Sequence, residues 1–121
     1  MNQIAVVEDN ADNRLLLKAI LEEEYALAEY DTGLAALDGL SREIPDLILL
    51  DISLPGMDGV EVLRHIRADA RLHHIPVIAL TAHAMAGDRE RFIAAGFDGY
   101  LTKPIVDDQV LLRMIEEGLA R

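Results

Sequence analysis

Five short aliphatic runs punctuate the chain, and most of them break off on polar residues. Ile4–Val7 runs into Glu8, Asp9 and Asn10. Tyr25–Tyr30 is a second candidate strand. Leu47–Leu50 meets Asp51, the run "VIAL" after Pro76 ends at Thr81, and Gly99–Leu101 is a short fifth. Between these runs the apolar spacing changes to that of helices. From Asn13 to Glu24 the pairs Leu16/Ile20 and Leu17/Leu21 define one face, Leu15 lies largely off it, and Asn10 or Asp12 can cap the start. "DTGLAALDGL" reads as a helix that Ile44-Pro45 ends. Further helices are expected over Asp58–Ala68, with Val60, Leu63 and Ile66 inward, and over Ala84–Ala95, stopping at Gly96. A last helix is expected over Asp107–Leu119, with Val110, Leu111, Met114 and Ile115 inward.

The order is therefore β-α repeated five times. The strand runs are continuous rather than alternating, as burial on both faces of a parallel sheet requires. Crossovers of this length form right-handed β-α-β units. The 121 residues fit one domain, and no linker, repeat or low-complexity segment divides them.

Composition narrows the functional classes. There is no cysteine, so disulfides, thiol redox chemistry and thiolate metal sites are excluded. Acidic residues number 22 against 11 basic ones, a formal net charge of −11. No basic stripe is present, which speaks against direct binding to a nucleic-acid backbone. No apolar stretch reaches transmembrane length and "MNQIAVVED" lacks the pattern of a signal peptide, so the expectation is a cytoplasmic protein without membrane insertion.

Open α/β sheets hold their ligands beyond the carboxyl ends of the strands. Those ends carry Glu8 and Asp9, Asp51, Thr81, and Lys103, scattered along the chain but convergent in such a fold. Three clustered carboxylates repel one another, and a hard divalent cation such as magnesium resolves the repulsion. Metal, ammonium and hydroxyl together suit the oxygens of a transferring phosphoryl group. Asp51, central among the strand ends, suits the nucleophile. Other sites are missing: there is no GxxxxGK[ST] loop, no GxGxxG after the first strand, no GxSxG elbow and no HExxH. His73 and His74 read as surface residues, while His83 is close enough to the site edge to modulate it but is expected to have no direct chemical role.

Taken together, Glu8-Asp9, "LLDISLPGMDG", Thr81 in "ALTAHA" and Lys103-Pro104 in "GYLTKP" resemble the receiver domain of two-component response regulators over essentially residues 1–121. The resemblance implies a flavodoxin-like doubly wound (βα)5 fold with strand order 2-1-3-4-5. It implies phosphorylation of Asp51 by a histidine kinase or histidine phosphotransfer protein, autodephosphorylation, and no conventional turnover activity. Magnesium, with Mn2+ as a substitute, would be held by Asp9, Asp51 and the Ser53 backbone carbonyl, with Glu8 acting through metal-bound water. Thr81 and Lys103 would contact the phosphoryl oxygens and Tyr100 would be the aromatic switch, signalling to a downstream protein partner. The Lys103-Pro104 bond would be cis.

Two features depart from the commoner pattern: the acidic pair is Glu-Asp rather than Asp-Asp, and Ser53 stands two residues after the acceptor. Both leave the metal set intact. Ser53 also counts against the alternative of a metal-dependent small-molecule phosphohydrolase, whose DxDxT motif needs aspartate there. Intact Asp51, Thr81 and Lys103 count against a phosphorylation-independent interaction module. The stretch from Leu80 to Ile105 looks most like receivers of hybrid sensor kinases and some stand-alone receivers.

Overall fold

In the computed structural model, which describes residues 1–82, 85–103, 105 and 107–120, strands and helices alternate throughout. They are β1 (Gln3–Val7), α1 (Ala11–Leu21), β2 (Ala26–Tyr30), α2 (Gly33–Arg42), β3 (Leu47–Asp51), α3 (Gly59–Ala68), β4 (Val77–Thr81), α4 (Asp88–Ala95), β5 (Gly99–Thr102) and α5 (Asp108–Leu119). Every strand pairing is parallel and the order is β2-β1-β3-β4-β5. This is the expected doubly wound α/β fold.

The period of two along each strand sorts the core into two layers. Ala5, Val7, Ile48, Leu50, Val77 and Ala79 face α2, α3 and α4, where Leu40, Leu63 and Phe92 meet them. Ile4, Val6, Leu47, Leu49, Ile78 and Leu80 face α1 and α5, against Leu17, Leu21, Leu111 and Ile115. The residues of β3 and β4 are all buried. Each fully buried Leu, Ile or Val side chain contributes about 1.5–3 kcal/mol through burial. β2 is an edge strand and stays partly exposed.

Helix starts follow local capping chemistry. Asn10, rather than Asp12, caps α1 by accepting from the Asn13 N–H. Thr32, Asp58 and Asp107 cap α2, α3 and α5 in the same way. α4 has no side-chain cap. It starts at Asp88 after Gly87 and ends at Gly96, with both glycines in the left-handed region.

Several expectations are corrected. Leu16 is 39% exposed, because the inward stripe of α1 runs through Leu17 and Leu21, and Leu16 is displaced from it by the helical turn. On α3 the buried side chains are those of Val62, Leu63 and Ile66, beside the buried Gly59, and Val60 is half-buried. On α5 Leu111 and Ile115 form the stripe, Met114 is half-buried, and Val110 is 37% exposed. α1 ends three residues earlier than Glu24. The expected helix Ala84–Ala95 is shorter: residues 85–87 are not helical, and α4 begins at Asp88 after the left-handed Gly87. Ala84, His83 and Pro104, and with it the Lys103-Pro104 bond, lie outside the described residues. Among the described residues no helix is long and apolar enough to cross a membrane.

Candidate functional site

The strand alternation that builds the core continues past the strand ends. Glu8 follows Ile4 and Val6 in parity, and its N–H extends the ladder by donating to the Tyr30 carbonyl at 3.0 Å. Asp51 follows Leu47 and Leu49 and is the last residue of β3. Both carboxylates therefore belong to the α1/α5 side of the sheet. Thr81 follows Val77 and Ala79, so it belongs to the α4 side.

Lys103 leaves β5 and is tied to β4 by its N–H, which donates to the Thr81 carbonyl at 2.7 Å. Its Nζ lies 3.0 Å from Asp51 Oδ2 and 3.1 and 3.2 Å from the two Glu8 oxygens. Glu8 is 0% exposed and Asp51 1%. Charges so deeply buried need partners. Among the described residues, Lys103 is the one cationic side chain bonded to either carboxylate.

Asp9 is exposed beside them, and oxygens of Glu8, Asp9 and Asp51 lie within 4.8 Å of one another. An all-oxygen, carboxylate-rich donor set of this size suits a hard divalent cation such as magnesium. The Ser53 N–H donates to Asp51 Oδ1 at 3.0 Å, which orients the carboxylate. The loop that carries Ser53 turns at Gly56, whose φ of 77° favours glycine. Gly59 closes the loop back on the strand: its N–H donates to the Ile52 carbonyl at 2.9 Å, and an added Cβ would lie 2.3 Å from the Asp51 carbonyl oxygen. The glycines around Asp51 thus fix the position of the loop, one by backbone conformation and the other by close approach.

Tyr100 sits opposite Ala79 in the β4–β5 register and packs half-buried on the α4 side, its ring centroid 5.6 Å from that of Phe92. Thr81, two residues beyond Ala79, is buried on the same side. The structure thus brings Glu8, Asp9, Asp51 and Lys103 together on one side of the strand ends, with Thr81 and Tyr100 on the other. His73 and His74 are exposed, as expected.

Two neighbours of Glu8 escaped the sequence reading. Asn13 Nδ2 donates to Glu8 Oε1 at 2.5 Å, and an Arg14 guanidinium N–H donates to the Glu8 carbonyl at 2.7 Å. A signal existed for Asn13. It stands four residues before Leu17 and eight before Leu21, in line with the buried stripe of α1, where an amide is out of place unless it has a partner.

Residues 4–116 match the family model of the response regulator receiver domain. The chain belongs to this family. It is 45% identical over 103 residues to the polar-differentiation response regulator DivK of Brucella ovis, covering 84% of each chain. It also superposes on the receiver domain of a sensor histidine kinase from Pseudomonas aeruginosa, whose cleft holds a coordinated magnesium ion. That likeness has a TM-score of 0.90 and 36% identity, covering 99% of this chain and 98% of the other. The receiver domain of a signal transduction histidine kinase from Syntrophus aciditrophicus matches with a TM-score of 0.89 and 36% identity, covering 99% and 91%. Receiver domains are not conventional turnover enzymes, and the acidic cluster at the strand ends of this one is a site suited to divalent metal and phosphoaspartate chemistry.

Two buried carboxylates against one ammonium leave a negative charge over. In the metal-free receiver, burial and then the neighbouring Asp51 push Glu8 up from the usual carboxylate range to about 7. Burial alone would lower Lys103, but its hydrogen bond to Asp51 and the charges of Asp51 and Glu8 raise it. A carboxylate that binds its proton more tightly in the folded state stabilises below its unfolded value, and that stabilisation is lost as pH rises through the folded value. Metal-free protein should therefore lose stability between about pH 4.5 and about pH 7 through this group. Urea unfolding with chelator present checks it: Glu8→Gln should gain on the parent as pH rises across that window and hold a constant difference above it. A pH-independent difference would contradict the assignment.

Proposed function

We propose that residues 1–121 form a receiver domain in which Asp51 accepts a phosphoryl group from a phosphohistidine of a histidine kinase or histidine phosphotransfer protein. The observation that carries this is the buried Asp51 carboxylate at the end of β3, held by Lys103 at 3.0 Å within 4.8 Å of other acidic oxygens. One Asp51 oxygen attacks phosphorus. The new O–P bond forms as the N–P bond breaks, and that electron pair returns to the imidazole nitrogen. Hydrolysis reverses the product: a water oxygen bonds to phosphorus, the P–O bond to Asp51 breaks, and inorganic phosphate leaves the restored carboxylate.

Asp9, Asp51 and the Ser53 carbonyl would hold magnesium, or manganese in its place, with Glu8 acting through bound water. When present, that ion supplies positive charge to the acceptor and to the phosphoryl oxygens. Lys103 donates to a phosphoryl oxygen, leaving its bond to Glu8 as new negative charge appears at Asp51. Thr81 donates its hydroxyl from the opposite side.

Leu15 supports a docking role. It is 66% exposed in the second turn of α1, near the crevice that a donor histidine must reach. Intact-mass analysis after acetyl phosphate and magnesium should show one phosphoryl group on the parent and none on Asp51→Ala; a labelled Asp51→Ala protein would sink the acceptor assignment. In the same assay Leu15→Ala should label normally, yet lose several-fold in transfer from the cognate histidine protein. Equal loss in both reactions would mean damage to the fold or the site.

The switch follows from the shared side of Thr81 and Tyr100. Movement of Thr81 toward the phosphoryl group opens space that the Tyr100 ring can enter, so two packings compete and phosphorylation shifts their populations. The output surface is then α4, β5 and the start of α5, where a downstream protein partner would bind. NMR of the Tyr100 ring with and without beryllofluoride tests the coupling. The parent should respond and Thr81→Ala should not; equal responses would break the proposed link.

A further inference from the structure

We infer that Asn13 is a positioning residue, whose side-chain amide holds the Glu8 carboxylate ready for the metal. The inference rests on reading the acidic cluster as a magnesium site. Asn13 is the third residue of α1 after the cap Asn10. Side chains at this place commonly reach back to the N–H of the cap residue. Here the backbone of Asn13 already completes the cap, its N–H donating to Asn10 Oδ1 at 3.0 Å, while the side chain turns the other way and donates to Glu8 Oε1 at 2.5 Å. Arg14, the next residue, fixes the Glu8 main chain through its carbonyl. The first turn of α1 therefore grips Glu8 at both its backbone and its carboxylate.

The chemistry of the grip matters. Oε1 of Glu8 accepts from both Asn13 and Lys103. Lys103 is also bonded to Asp51, and phosphorylation gives it a more strongly charged partner. Asn13 has no such competing role. It is a neutral donor, so it orients the carboxylate without cancelling the charge that attracts a divalent cation. When Lys103 turns to the phosphoryl group, Asn13 is the contact that keeps Glu8 from rotating away. An ammonium or guanidinium in its place would compete with the metal, and a hydroxyl would be too short to span the same gap.

Two measurements test this. In the metal-free parent, NMR should find the Asn13 side-chain amide protons shifted downfield, as hydrogen bonds to a carboxylate make them, and Glu8→Gln should move that resonance alone among the asparagine side chains. Titration calorimetry should show magnesium binding weakened several-fold in Asn13→Ala, with partial recovery in Asn13→Gln. That is less than the roughly tenfold or more that a partner directly behind a metal ligand contributes, because Glu8 acts through bound water. Labelling of Asn13→Ala by acetyl phosphate should slow at low magnesium and return to the parental rate at saturation, a split that a folding defect would not give. Unchanged magnesium affinity in Asn13→Ala, or an Asn13 amide indifferent to Glu8→Gln, would overturn the inference. A parent that takes up no magnesium would instead remove the metal reading of the site. The amide resonance would still decide whether Asn13 holds Glu8.

Discussion

Two carboxylates buried at the ends of neighbouring strands share one ammonium, and the rest of the site is arranged around that imbalance. Glu8 and Asp51 are closed off from solvent, and Lys103 reaches both. Desolvating charges in this way costs several kcal/mol per ion unless geometry and hydrogen bonds compensate. The compensation comes from three directions. The end of β5 delivers Lys103, the Ser53 N–H holds the other oxygen of Asp51, and α1 supplies Asn13. A surplus negative charge remains, and it makes the site suited to a divalent cation.

The fold makes such an arrangement cheap to specify. Residues at the ends of parallel strands inherit their direction from the alternation of the core. Glu8 and Asp51 fall on the α1/α5 side because Ile4, Val6, Leu47 and Leu49 do. Thr81 falls on the α4 side with Ala79 and Tyr100. Charge chemistry and the aromatic ring are thus separated by the thickness of the sheet, yet joined through the ends of β4 and β5, where the Lys103 N–H meets the Thr81 carbonyl. This junction is the route that the proposed coupling of Asp51 to Tyr100 would take.

Much of this was legible in the residues. Continuous aliphatic runs identified the buried parallel strands, and charges placed directly after them identified Glu8, Asp9, Asp51 and Lys103 as one edge. The helix faces were harder to read. Leu16 and Val110 are as apolar as their buried neighbours Leu17 and Leu111, and only their place around each helix, off the stripe that packs on the sheet, leaves them exposed. Asn13 went unread because a polar residue in a first helical turn is usually a matter of capping, and its partner is known only once α1 is laid against the end of β1. The burial of Glu8 was also hidden: a glutamate at a strand end looks solvated until Lys103, ninety-five residues away, is brought back to it.

The most direct test removes the Lys103 ammonium that Glu8 and Asp51 share. Lys103→Met keeps the apolar stem and leaves Glu8 and Asp51 without their cation. Its unfolding should be compared with the parent at pH 8, where protonation cannot conceal the loss, in chelator and across a magnesium series. The expected result is a Lys103→Met protein markedly less stable than the parent in chelator, with the gap narrowing as magnesium supplies the missing charge. Equal stability in chelator, or a gap that magnesium leaves untouched, would contradict the view that charge imbalance at the strand ends organises this site.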